Sequence, residues 1–195
     1  MKRDVIHEFV RAVEGLGDKE YLYAVLLYNI SPVIAGVKPA SIITFNKAGR
    51  NLKLLWELYS GMLLKENRIK YFEISNTNFS TTLIFYDAVL LEKVLKDEEI
   101  SNFYYELGYK NISDIEGMLY QMKFRYVGNC PHEMGVLLGI PVDDVREFMN
   151  NKSKKCLACG YWKVYNNVER ANEVFKAYDH IREKAIYSII KDAEI

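Results

Sequence analysis

The chain is poor in the features that usually announce a class. Lys and Arg total 26 and Asp and Glu also total 26, so the formal net charge is zero. A nucleic-acid binder draws most of its affinity from an excess of cations over phosphates, and the missing excess argues against nucleic acid as a partner. The sequence holds no G-x-x-x-x-G-K-[ST], no G-x-G-x-x-G, no H-E-x-x-H and no G-x-S-x-G, which removes several large enzyme classes from the front rank. Lys2 and Arg3 are followed by Asp4, His7 and Glu8 where a secretion signal would place apolar residues. The most apolar run, 21–34, is shorter than the ~20 residues a bilayer-spanning helix needs and has Pro32 near its end. No membrane association is expected, and a cytoplasmic location is. Three Cys, an odd number without an export signal, point to a reducing compartment and to thiols in place of a disulfide framework.

What is present is apolar and aromatic. Half of the residues are hydrophobic, with 15 Tyr and 9 Phe among 195 residues. A chain of that length buries enough surface to fold without staples. No repeat, low-complexity tract or linker divides it, so a single domain over residues 1–195 is expected.

Apolar spacing over residues 4–16 predicts a helix, and Asp18 is placed to cap a second one. That second helix should be disrupted at Ser31-Pro32, because proline removes a donor and restricts its predecessor. Residues 41–45 are β-branched and short and read as a strand. Residues 51–65 put Leu52, Leu55, Trp56 and Tyr59 on one helical face. Residues 71–74 and 82–86 read as a hairpin about the turn formers at 75–78. Helices follow at 89–95 and 100–107, and Ser113 with Glu116 matches a capping box opening another helix. A short apolar helix ending near Gly139, a helix after Pro141, an alternating strand at 161–165 and a long final helix complete the order. The expected class is α+β: a four-stranded, mainly antiparallel sheet of ferredoxin-like βαββαβ order with several extra helices.

All three Cys and one His fall within 30 residues, as Cys130, His132, Cys156 and Cys159. Pro131 favours extended backbone at Cys130, where residues two apart point the same way. A C-x-x-C turn brings the second pair together. Three thiolates and an imidazole make a tetrahedral set suited to zinc or iron. Against it, free Cys is often just a small buried hydrophobe, and C-x-H is shorter than the usual ligand spacing. A zinc-deaminase pattern fails, since Glu133 is one place late and Lys155 stands where proline is needed before Cys156. A Cys-His thiol enzyme with Cys130 as nucleophile and His132 as base is the alternative; it lacks an identifiable third residue. Lys38, in the loop 31–40, is the candidate for holding an anionic small-molecule ligand, though a lysine at a rim usually keeps its head in water. Residues 137–145 have the turn of a helix-turn-helix, but Asp143, Asp144 and Glu147 would face phosphates, so packing is the better use. A third reading has no chemistry at all, only a protein-interaction module presenting its Tyr-rich helices.

Two segments carry a resemblance. Residues 31–40, Ser-Pro-Val-Ile-Ala-Gly-Val-Lys-Pro-Ala, and the region from Cys130-Pro131-His132-Glu133 through 138–145 to Cys159-Gly160-Tyr161-Trp162-Lys163-Val164-Tyr165 resemble an uncharacterised family of anaerobe proteins. That family is catalogued only as a domain of unknown function. The resemblance implies a cytoplasmic single-domain protein in which the two segments meet. It brings no reaction, ligand or catalytic residue with it.

Overall fold

The computed structural model describes residues 3–63, 68–112, 114–151 and 153–193. In chain order the elements are α1 (Arg3–Glu14), α2 (Asp18–Ile34), β1 (Ala40–Asn46), α3 (Leu52–Leu63), β2 (Ile69–Asn76), β3 (Ser80–Asp87), α4 (Ala88–Lys96), α5 (Glu98–Glu106), α6 (Ile115–Arg125), α7 (Met134–Leu137), α8 (Val142–Asn150), β4 (Ala158–Cys159), β5 (Lys163–Val164) and α9 (Val168–Ala193). The α+β class is as expected. Among the described residues no helix is long and apolar enough to cross a membrane.

The main sheet has three strands in the order β1-β3-β2, with both pairings antiparallel. The two outer strands therefore run parallel, joined by α3, with the hairpin partner inserted between them. This is the split βαβ half of the expected topology. The central strand is apolar on both faces, as a strand covered on two sides must be. Leu83 and Phe85 pack with Leu22, Leu26 and Trp56 of α2 and α3, while Ile84 and Tyr86 pack with Leu91, Met118 and Leu137 beyond the other face. Trp56 stacks on Phe45 at 5.3 Å and meets Phe85 edge-on at 5.6 Å. Each such buried side chain contributes roughly 1.5–3 kcal/mol.

Two expectations need correction. The fourth strand does not join the sheet. Only Lys163–Val164 is extended, and it pairs with Ala158–Cys159 in a separate two-stranded ribbon. The alternation at 161–165 is satisfied by inserting Trp162 and Val164 among Ala171, Phe175 and Tyr178 of α9, not by a sheet edge. Pro32 does not end α2, which runs on to Ile34. The Tyr28 carbonyl that loses its donor to proline accepts the Ser31 hydroxyl instead, at 3.2 Å. The helix α6 opens where expected, with Asp114 accepting from the Glu116 and Gly117 amides; Ser113 of the expected capping box lies outside the described residues.

The loop after α2 is what delivers Lys38. Gly36 adopts a positive φ of 72°, and the Val37 and Lys38 amides both donate to Pro32 O at 3.1 Å. Pro39 O then accepts the Asp87 amide at 3.0 Å, stitching the loop to the end of β3. Asp87 caps α4 with one carboxylate oxygen and binds Arg68 with the other, 2.7 Å away.

Candidate functional site

The Cys/His set does not assemble. Among the described residues, no three His, Cys, Asp or Glu side chains converge in a way that would hold a metal ion. Cys130 sits just before α7, where its Sγ approaches Met134 Sδ at 3.4 Å. Cys159 lies in β4, and all three thiols are free. Proximity in sequence put them in one window, but α7 is drawn into the core under the sheet and the ribbon is drawn onto α9. Nor does Cys130 have the setting of a nucleophile. Burial, then the charge of Glu133, pushes its thiol up from the ordinary value, whereas a reactive thiol needs to be pulled down. His132 makes no hydrogen bond to it and meets the Phe148 ring edge-on at 4.9 Å.

Beneath Cys130 lies a buried polar knot. Tyr109 donates to Glu133 Oε1 at 3.0 Å, Tyr104 donates to the Glu133 carbonyl at 3.0 Å, and Arg125 stacks on the Tyr109 ring at 4.0 Å. Burial, then the Glu133 carboxylate, raises the Tyr109 hydroxyl far above its usual value. The knot is closed on itself and anchors α7 under α5 and α6.

The second ordered polar centre is Asp144. Its side chain is buried in the first turn of α8. Oδ2 accepts the Trp162 indole N–H at 2.8 Å, and Oδ1 accepts the Tyr165 amide, the Asn166 amide and the Asn166 side chain at 2.9–3.1 Å. This carboxylate holds the ribbon and the start of α9 to α8, so it sets where Trp162 stands. Two cavities flank that indole. One, about 300 Å³, is lined by His132, Val145, Phe148, Tyr161, Trp162 and Lys163. The other, about 320 Å³, lies between Val37 and Pro39 of the Lys38 loop, Gly139 and Pro141 before α8, and Trp162, Arg170 and Tyr178.

The second cavity is where the two distant segments meet. Gly139, at a positive φ of 84°, has Pro39 so close that a Cβ would lie 3.0 Å from the proline ring and 3.5 Å from the Tyr178 hydroxyl. Beside Tyr178, which lines the cavity, stands Lys38, with Nζ 5.5 Å from the ring centroid. One turn further along α9, Arg182 lies between the rings of Tyr28 and Tyr161, at 5.1 and 4.9 Å. Tyr161 donates to Asp179 at 2.7 Å. Burial, then the bond to Asp179, pushes the Tyr161 hydroxyl up to about 12, and burial pushes Tyr178 to about 12 as well. Burial, then the charge of Arg182, lowers Lys38 to about 8.

Of the residues singled out in the sequence, His132 lines the first cavity, and Lys38 stands over the Tyr178 ring between Val37 and Pro39, which line the second. Asp144, Trp162, Tyr178 and Arg182 were not anticipated as site residues. Asp144 reads as half of an acidic Asp-Asp pair on a helix surface, and Arg182 as one more charge on a long polar helix. Only the fold turns them inward.

The family model described as a protein of unknown function, DUF3793, matches residues 26–195, and the chain belongs to that family. No curated protein matches the chain, and no solved structure does.

Proposed function

We propose that this DUF3793 protein binds a small organic molecule in the cavity between the Lys38 loop and the α8–β5–α9 region. The observation that carries this reading is convergence. Segments about a hundred residues apart, 37–39 and 139–144, meet a third, 162–178, around a space of about 320 Å³ with an indole and a phenol in its walls. Ligand sites are typically concave, mostly apolar and furnished with a few polar groups, and this volume is at the small end of their range. A ligand with a single ring or a short branched body fits it. The aromatic walls offer area at little cost in side-chain entropy, since Trp162 is already fixed by Asp144. The Cys130, His132, Cys156, Cys159 metal reading and the Cys130 thiol-enzyme reading have no comparable support.

The test is a fragment screen of the full chain by ¹H–¹⁵N NMR. There are two tryptophans, so the Trp162 indole signal is assigned by its persistence in Trp56→Phe. Binding fragments are expected to move that indole and the amides of Gly139, Asn166 and Asn167. Val37→Trp, a change at an exposed position lining the cavity, is expected to abolish those shifts. Fragments that bind with these signals still, or that bind Val37→Trp equally well, would remove the reading.

A further inference from the structure

We infer that the ligand of this cavity is an organic acid, its anionic group held by Lys38 and Arg182 at the Tyr178 end, an inference that rests on the reading above. The cations around the cavity differ in how their charge is met. Arg170 is exposed and already paired, with Nη1 3.2 Å from Glu173 Oε2. Lys53, elsewhere on the molecule, is buried but fully answered by Asn76, Thr81 and Glu57 at 2.7–2.9 Å. Lys38 has neither answer. No hydrogen bond or carboxylate within ion-pair distance meets its Nζ among the described residues, and its one described partner is the face of Tyr178. Arg182 Nε is buried with no hydrogen-bond acceptor.

Two cations therefore repel one another across a half-buried site walled by Tyr28, Tyr161 and Tyr178. Ring faces attract cations but supply no acceptor oxygen, and the Tyr161 hydroxyl, which meets Arg182 while donating to Asp179, leaves the Arg182 Nε unanswered. Asp179 lies near Arg182 and offsets part of its charge, yet it is engaged by the Tyr161 hydroxyl. A buried charge without a partner is unfavourable, and a guanidinium N–H beside an ammonium is a pair of donors that a carboxylate or similar oxyanion accepts well. The position matters as much as the charge. Val37 and Pro39, the neighbours of Lys38 in the loop, line the cavity, and Tyr178 is shared between cavity and cation pair. A molecule whose body lies along Trp162 and Tyr178 presents its acid group at Lys38.

The experiment compares phenylacetate with phenylacetamide, the same body with and without charge, titrated into the full chain at pH 7 and followed at the Trp162 indole. Phenylacetate is expected to bind about tenfold more tightly, the factor that ~1.4 kcal/mol gives. Lys38→Met is expected to bring the acid's affinity down to that of the amide, and Lys38→Arg to restore the preference. The dispersion of each variant's spectrum reports that it is folded. Equal affinities in the wild type, or an acid preference that survives Lys38→Met, overturn the acid assignment while leaving the cavity reading in place. If neither compound moves the indole, both fail together.

Discussion

Around β3 the molecule is held by apolar side chains; from Ala158 to Asn167 apolar contacts with α9 are joined by one buried carboxylate that ties the segment to α8. Leu83, Ile84, Phe85 and Tyr86 alternate between two layers of helices, and each contact there is replaceable by another of the same kind. In the C-terminal region the elements are too short to carry themselves. The helix α7 has four residues and the ribbon strands two each, and Asp144 gathers the ribbon onto α8 through four accepted hydrogen bonds. The difference teaches where function can sit. A layer that is redundant and dry resists change, while a region fixed by few, directional bonds leaves cavities beside them.

The largest effects should come from removing the leading contributor on each side. Phe85→Ala is expected to cost about 3–5 kcal/mol by the usual toll for a buried aromatic. Asp144→Ala removes far fewer apolar atoms, yet it orphans an indole N–H and two backbone amides, and about 3–5 kcal/mol is expected for it too. Urea unfolding measures both, and amide hydrogen exchange separates them. Phe85→Ala should lower protection throughout the sheet. Asp144→Ala should first release the amides of Tyr165 and Asn166 while β3 stays protected. If Asp144→Ala cost less than ~1 kcal/mol, within the range of an ordinary surface change, the carboxylate would not be what holds the ribbon.

A smaller effect sharpens the same contrast. Gly160, in the turn of the ribbon, lies under the Phe175 ring, and a Cβ there would stand 2.2 Å from ring carbon Cε2. Gly160→Ala is expected to cost about 1–3 kcal/mol, the range for overpacking. Phe175→Leu should recover part of that cost in the double variant. Independent, additive effects would mean that the ribbon turn shifts away from α9 freely, and that the region is less fixed than its bonds suggest.

These two regions were also unequally legible in the sequence. The strand at 82–86, the hairpin around the turn formers that follow 71–74 and the amphipathic α3 are legible locally, because a short β-branched and aromatic run, a turn cluster and one apolar helical face decide them. The chain from 156 to 167 carries no period long enough to say what it packs against. Its alternation at 161–165 is genuine, but the partner that satisfies it is α9 together with a buried aspartate, and long-range hydrogen bonds leave no spacing to read. The Cys130–Cys159 cluster was an artefact of proximity along the chain, since residues within one window are separated once α7 and the ribbon pack against different layers. Lys38 could be picked out as a lysine between Gly36 and Pro39. Its counterpart Arg182 could not, because on a long helix with Asp179, His180 and Lys184 nearby it looks like another solvated charge.

An effect of similar size to that of Gly160→Ala, but confined to a pH window, links stability to use. In the folded protein Lys38 loses its proton near pH 8, because burial and Arg182 disfavour the ammonium; in the unfolded chain a lysine does so near ~10.4. Between those values the unfolded chain holds a proton that the folded one has given up, so stability rises with pH across that window. Below pH 8 both states are charged and the folded state bears the whole cost, roughly 1–3 kcal/mol. Lys38→Met should therefore be more stable than the wild type at pH 7 by about that amount, and the gap should close by about pH 10. Urea midpoints at pH 7 and pH 10 measure it. A wild type as stable as Lys38→Met at pH 7 would mean that the ammonium is well solvated, and the pair with Arg182 would then need no anion. The expected gain has the opposite reading: a charge held in place against the stability of the fold is held there by what it binds.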